Sequence, residues 1–175
     1  KKERFKTITG SDGFDAVWRG IEKSLEAGFD RVKLNVIIMR GINEDEIADF
    51  ARLSINYPLT VRFIEFFNAN RRSGRLAGAL VATEEVKKRI EISFGSLSET
   101  SPDKGGGPAQ GYSISGARGE LGFISGASSD FCGACNRIRL DCAGKVYPCL
   151  FAGPTHDLRA LMRSPRAFPA SGPAK

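Results

Sequence analysis

Histidine, tryptophan and methionine are scarce, with one, one and two in 175 residues. A single histidine, His156, leaves no material for a nitrogen-ligated metal cluster or a Ser-His relay. Long apolar runs are missing as well. Crossing a bilayer takes ~20 apolar residues, whereas the longest stretch, Val36 to Met39, is a strand's worth, so no membrane partner is expected. There is no apolar leader segment, and the chain opens at Lys1 rather than Met, so it is expected to be part of a longer protein. What is present suits a globular chain: 41% hydrophobic and 26% charged residues, with net charge +6. That excess is compatible with a phosphorylated ligand, although a mildly basic solvated surface has the same signature.

Cysteine is absent from most of the chain and crowded into one place. Cys132, Cys135, Cys142 and Cys149 are all there are. A disulfide scaffold spreads its cysteines to staple distant loops, whereas one metal centre gathers them into a short segment. A reducing compartment follows, and a cytoplasmic protein is expected. The Cys132-x2-Cys135 pair aims two thiolates at one centre, and Cys149 returns on the second arm of an expected hairpin. Three sulfurs leave one position open, which on a four-iron cluster frees one iron and on zinc makes a catalytic-type site. Adding Cys142 gives C-x2-C-x6-C-x6-C, a closed four-thiolate zinc site. Spacing leaves both metals open, and Cys142 near a turn is equally well an unliganded thiol.

Apolar periodicity organises the rest. Phe14, Val17, Trp18, Ile21 and Leu25 predict an amphipathic helix over 14–27 ended by Gly28. Residues 31–40 predict a strand apolar on both faces, with Lys33 and Asn35 as exceptions, as in a buried parallel sheet. Asn43 and Glu46 resemble a capping pair for a helix over 44–54, and Leu59 to Phe66 is the next strand, carrying Arg62 and Glu65. Alternating helix and strand describes α/β units with parallel strands. Two strands alone would leave exposed edges at Leu34 and Phe63. Further on, Thr83 is placed to cap a helix over 84–92. Hairpins are expected to turn at Arg118-Gly119 and at Ala143-Gly144, and Asp157 to cap a last helix. Residues 68–78 read as a loop and 96–110 as a linker. Gly105, Gly106 and Gly107 lack the context of a phosphate loop, and a Pro/Ala/Ser-rich tail follows Ser164.

Arg137 and Arg139, at i and i+2 on an expected strand, would share a face just beyond a metal ligand. Paired guanidiniums there could hold phosphates or a nucleobase edge. Lys33 and Arg62 have the plainer reading of strand residues that snorkel or pair, with Glu65 an available partner. A zinc-stabilised basic nucleic-acid module is the alternative, but the charge is not concentrated near the cysteines, so no nucleic-acid partner is expected.

The residues that carry a family resemblance occur in order: Val32-Lys33-Leu34-Asn35, Met39-Arg40-Gly41-Ile42-Asn43, Val61-Arg62-Phe63-Ile64-Glu65-Phe66, Gly122-Phe123-Ile124-Ser125 and Phe131-Cys132-x-x-Cys135-Asn136-Arg137-x-Arg139. With Gly144-Lys145, Cys149-Leu150-Phe151 and Asp157-Leu158-Arg159, the chain from about Glu3 to Arg163 resembles the GTP 3′,8-cyclases of molybdenum cofactor biosynthesis (the MoaA family), which are radical S-adenosylmethionine lyases. The resemblance implies an α/β fold, the C-terminal portion of an incomplete (β/α) barrel plus a hairpin-rich extension holding an auxiliary cluster. Residues 1–67 would be the last barrel units, 68–163 the GTP and cluster region, and 164–175 a disordered tail. It implies Cys132, Cys135 and Cys149 as ligands of an auxiliary 4Fe-4S cluster whose open iron meets the guanine of GTP. It further implies Lys33, Arg137, Arg139 and the backbone of Ile138 as GTP contacts, and Arg62 is a further candidate for GTP binding. Phe67 stands where the family usually has a methionine beside S-adenosylmethionine, and Cys142 has no counterpart.

The intact enzyme would convert GTP to (8S)-3′,8-cyclo-7,8-dihydroguanosine 5′-triphosphate by way of a 5′-deoxyadenosyl radical generated at a second 4Fe-4S cluster. The C-x3-C-x2-C motif for that cluster, and the family's glycine-glycine tail, are not in these residues. The chain is therefore expected to hold GTP but not to turn it over alone, and no catalytic residue is assigned. A homodimer is one assembly open to it, and another radical enzyme with an auxiliary cluster is the remaining alternative; the Asn136-Arg137-x-Arg139 segment favours GTP.

Overall fold

A computed structural model of the chain describes residues 1–66, 78–100, 109–126, 137–149 and 152–164. Phe67, Gly105 to Gly107, Cys132, Cys135, Asn136, Leu150 and the tail from 165 lie outside the described residues. The chain divides into two compact units, Lys1–Gly133 and Ala134–Lys175. Among the described residues, no helix is long and apolar enough to cross a membrane.

The first unit opens with α1 (Lys2–Thr9) and α2 (Phe14–Glu26). The sequence pattern did not mark α1, because its residues are mainly polar; Phe5 packs edge-on to Phe14, with ring centroids 5.7 Å apart. Helix α2 runs where the apolar spacing places it, and Gly28 follows at φ 71, the left-handed conformation that ends a helix without a side-chain clash. Then come β1 (Val32–Ile38), a 3₁₀ turn (Glu44–Glu46), α3 (Ile47–Asn56), β2 (Leu59–Glu65) and α4 (Thr83–Phe94). The unit ends with β3 (Leu97–Glu99), β4 (Gln110–Ile114) and β5 (Glu120–Ile124).

These strands form one sheet in the order β1-β2-β5-β4-β3. Strands β1, β2 and β5 are parallel, and β4 and β3 continue antiparallel. The fold is thus mixed α/β with a mixed sheet. Strand β5 lies against β2 with Thr60 opposite Glu120 and Phe63 opposite Phe123. The expected exposed edge at Phe63 is therefore overturned: β2 is interior, and Phe63 is buried.

Side chains alternate across a strand, so the register sorts residues into two faces. Val61, Phe63, Leu121 and Phe123 lie on one face, buried in a core with Ile47 and Ala51 of α3 and Val86 and Ile90 of α4. The Phe63 and Phe123 rings stack at 5.7 Å. Each such side chain contributes roughly 1.5–3 kcal/mol when removed from water. The opposite face carries Lys33, Asn35 and Ile37 of β1 beside Thr60, Arg62 and Ile64 of β2. Asn35 is exposed and Ile37 is 45% exposed, so β1 is not buried on both faces.

Two expected caps are corrected. Asn43 does not cap the following helix; its side chain accepts from Met39 N–H (2.7 Å) and donates to the Ile37 carbonyl (2.9 Å), closing the end of β1. Glu44 instead accepts the Gly41 N–H at 2.8 Å. Thr83 is the first residue of α4 rather than its cap, and its backbone N–H donates to the buried carboxylate of Glu65 at 2.8 Å. A carboxylate from the neighbouring strand thus satisfies a donor that the helix itself leaves open.

In the second unit, β6 (Arg139–Leu140), β7 (Lys145–Tyr147) and β8 (His156–Asp157) pair antiparallel in that order, and α5 (Leu158–Arg163) follows. The Asp157 side chain accepts the Ala160 N–H at 2.9 Å, the expected cap.

Candidate functional site

An open groove of about 460 Å³ lies along the amino ends of β1, β2 and β5. It gathers Lys33 from β1, Thr60 and Arg62 from β2, and Arg118 from the β4–β5 turn. Lys33 pairs with Thr60, and Arg62 stands one rung further along the same face, so two cations expected at a nucleotide site share one trough. The flat path of Arg62 has a local cause. Gly122 is its partner in β5, and Gly111 of β4 is the partner of Gly122, so neither adds a side chain there. A methyl at Gly122 would stand 3.1 Å from Cγ of Arg62. The two adjacent glycines clear the surface that the arginine crosses.

The far wall is set by Gly119. Its N–H donates to the Ser54 carbonyl of α3 at 2.8 Å, and a methyl there would fall 2.0 Å from the Leu59 carbonyl oxygen. Only glycine allows that approach, and it pins the turn carrying Arg118. Arg118 itself donates to the Asn56 carbonyl at 3.0 Å. Arg31 also borders the groove, as do the acidic Asp30 and Glu120. Clustered guanidinium and ammonium groups in a trough suit a phosphate-type anion, which they hold by charge-assisted hydrogen bonds. Arg31 and Arg118 escaped the sequence reading because neither stands in a recognisable motif. The hairpin was expected to turn at Arg118-Gly119; its hydrogen-bonded turn is at Ser115-Gly116, and Arg118 and Gly119 follow on the way into β5.

At the carboxyl ends of β2 and β5, a buried polar group joins the strands to α4. Glu65 holds the Thr83 N–H, and the Ser125 hydroxyl donates to Thr83 Oγ1 at 2.9 Å. On the outer surface, Arg40 and Arg89 both bind Glu85, at 2.6 and 2.7 Å, and Arg89 also reaches Glu44 at 3.0 Å. The Arg40 guanidinium, followed by that of Arg89, overcomes partial burial and holds the Glu85 carboxyl below its ordinary value. For Glu44 the main cause is the Gly41 N–H.

Arg137, Ile138, Arg139 and Cys149 belong to the second unit. Arg139 begins β6 opposite Tyr147, while Arg137 and Ile138 precede the strand. Ile138 is 71% exposed, and Cys149 is a half-buried thiol. Their hairpin is organised by Asp141, which accepts from Ala143 N–H and Lys145 N–H, both at 2.9 Å, and from the Tyr147 hydroxyl at 3.1 Å. The Lys145 N–H first, then the Tyr147 hydroxyl and the Ala143 N–H, keep the Asp141 carboxyl below its ordinary value. Cys142 sits exposed on this turn. Among the described residues no group of three or more His, Cys, Asp or Glu side chains is placed to hold a metal; Cys132 and Cys135 lie outside them.

Comparison with known proteins follows the same lines. Residues 59–168 match the family described as Molybdenum Cofactor Synthesis C. A GTP 3′,8-cyclase of Heliobacterium modesticaldum is 43% identical over 163 residues, 93% of this chain and 50% of that protein. Those of Pelotomaculum thermopropionicum and Moorella thermoacetica are each 42% identical, over 163 and 165 residues, covering 93% and 94% of this chain and 50% of each relative. The chain spans about half the length of the curated relatives it matches. On its sequence and the extent of the match, the chain belongs to the Molybdenum Cofactor Synthesis C family.

Proposed function

We propose that this chain is the GTP-holding part of a GTP 3′,8-cyclase, and that β1 and β2 are closing strands of an incomplete (β/α) barrel. The parallel pairing of β1 with β2, and the helices confined to one face of them, support the barrel reading. The observation that carries the functional reading is the groove in which Lys33 and Arg62 converge from neighbouring strands. In this reading the polyphosphate of GTP lies there; Arg137, Arg139 and the backbone of Ile138, in the second unit, are proposed as nucleotide contacts on the family resemblance alone.

Cys132, Cys135 and Cys149 would hold a 4Fe-4S cluster. Three thiols in a chain with one histidine form a soft donor set of the kind that holds iron–sulfur or zinc, and the family resemblance favours the cluster. When bound, that cluster would supply iron to which the nucleotide could bind, and the radical chemistry would come from S-adenosylmethionine and a second cluster that these residues do not hold. The chain's own residues bind and orient. Guanidinium and ammonium groups neutralise phosphate oxygens and fix the nucleotide's position, so that positioning rather than proton transfer is their contribution.

The test is equilibrium binding of GTP to the anaerobically purified, iron-reconstituted chain and to Lys33→Ala, Arg62→Ala and Arg139→Ala. A hydrogen bond to a charged group is worth about 1.5–3 kcal/mol, so each variant is expected to bind GTP roughly tenfold or more weakly. Unchanged affinity in all three overturns the proposal.

A further inference from the structure

We infer that Arg118 is an additional phosphate-binding residue, which reads the terminal phosphate of the nucleotide at the far wall of the groove; this rests on the GTP reading above. Three observations carry it.

First, Arg118 lines the same trough as Lys33 and Arg62 but comes from a different segment, the β4–β5 turn, so the three cations approach one space from three segments of chain. Second, the turn is rigidly held. The Gly119 N–H to Ser54 carbonyl bond (2.8 Å) fixes it to α3, and the closeness of Gly119 to the Leu59 and Tyr57 backbone leaves it no room to slide. The side chain of Arg118 is exposed, but it rises from a fixed backbone and is tied to the Asn56 carbonyl, which limits the freedom it loses on binding. Third, Arg118 spends little of its donor capacity. Of five N–H donors, its hydrogen bonding within the described residues goes to the Asn56 carbonyl, through one terminal nitrogen. The remaining donors keep the planar geometry that matches a phosphate.

Asp30 and Glu120 also border the groove, so bulk attraction alone would be weak. An anion must reach several cations at once to be held. That requirement favours a chain of phosphates over a single one, and Arg118, which reaches the groove from the segment before β5, is the cation available for a further phosphate.

The experiment measures the affinities of GTP, GDP and GMP for the reconstituted chain and for Arg118→Gln and Arg118→Lys. Wild type is expected to bind in the order GTP, GDP, GMP. Arg118→Gln should shrink the GTP-over-GDP step on the order of tenfold while leaving GMP affinity unchanged, and Arg118→Lys should restore part of the step. Unchanged GMP affinity also shows that the variant is folded. A ladder unaltered by Arg118→Gln, or a loss shared equally by GMP, overturns the role of Arg118 while the GTP reading stands. A wild-type chain that binds no GTP, or binds the three alike, overturns both.

Discussion

Replacing Gly119 by alanine should damage this protein far more than one added methyl suggests. The methyl carbon would lie 2.0 Å from the Leu59 carbonyl oxygen, 2.7 Å from the Leu59 nitrogen and 2.8 Å from the Tyr57 carbonyl oxygen. All three are backbone atoms, so no rotamer change relieves the clash. A comfortable carbon–oxygen contact is about 3.3 Å, and the turn would have to retreat by roughly 1.3 Å. That movement breaks the Gly119 N–H to Ser54 carbonyl bond and strains the first β2–β5 rung, Thr60 with Glu120. Overpacking costs about 1–3 kcal/mol, and the carbonyl left without its donor adds about 1–3 kcal/mol. The expected total is about 2–6 kcal/mol, a large share of the ~5–15 kcal/mol that holds a typical domain.

The control is Gly116→Ala in the same hairpin. Gly116 has φ 74 but nothing within 4 Å of its would-be methyl, so its cost is the backbone strain alone, about 1 kcal/mol. Urea denaturation of both variants gives the comparison. If Gly119→Ala is no less stable than Gly116→Ala, the close-approach argument is wrong.

Three further outcomes are expected. Glu65→Ala strands the buried Thr83 N–H and should cost about 1–3 kcal/mol in urea melts, whereas Glu65→Gln keeps an acceptor and should cost less; equal losses would contradict the role given to that acceptor. The Glu85 carboxyl is lowered by Arg40 and then Arg89, so its contribution is fully present above the unfolded pKa of about 4.3 and lost as pH falls through the lower folded value. The difference in Tm between wild type and Glu85→Gln should therefore be present at neutral pH and vanish in acid, and a difference that persists in acid refutes the assignment. Anaerobic reconstitution should load about four irons per chain and give an electron paramagnetic resonance signal that GTP alters. Cys149→Ser should abolish both and Cys142→Ser neither, whereas one zinc and no response to GTP would favour a zinc module.

Local pattern carried much of the architecture. The apolar spacing of α2, the paired apolar strands and the turn at Ala143-Gly144 were legible because each depends on neighbours within a few residues; the first hairpin was legible too, but it turns at Ser115-Gly116, three residues before the expected place. The position of β5 was not. Its pairing with β2 joins residues sixty positions apart, and nothing in Leu121-Gly122-Phe123 announces a parallel partner on its outer side. The capping expectation at Asn43 failed for a related reason, since its amide is taken by the end of β1 before the helix can use it. At the site, Lys33 was named through the family resemblance and Arg62 as a further candidate, and the register shows them on one face. Arg118 carries no motif; its relevance comes from a turn fixed by contacts with α3 and β2, which sequence spacing does not encode.

The long reach from β2 to β5 has a consequence in time. Helices α2 and α3 and the β1–β2 pair rest on contacts close in sequence, which form early. The inner edge of β2, by contrast, waits for residues 120–124. At a synthesis rate of about 5–20 residues per second, that wait lasts roughly 3–12 s, during which Val61 and Phe63 border an unpaired strand edge. The hairpin thus acts as a late lock on the sheet. Substitutions at Gly119 or Gly122 should act on the last stage of folding, raising the unfolding rate more than they slow the first collapse.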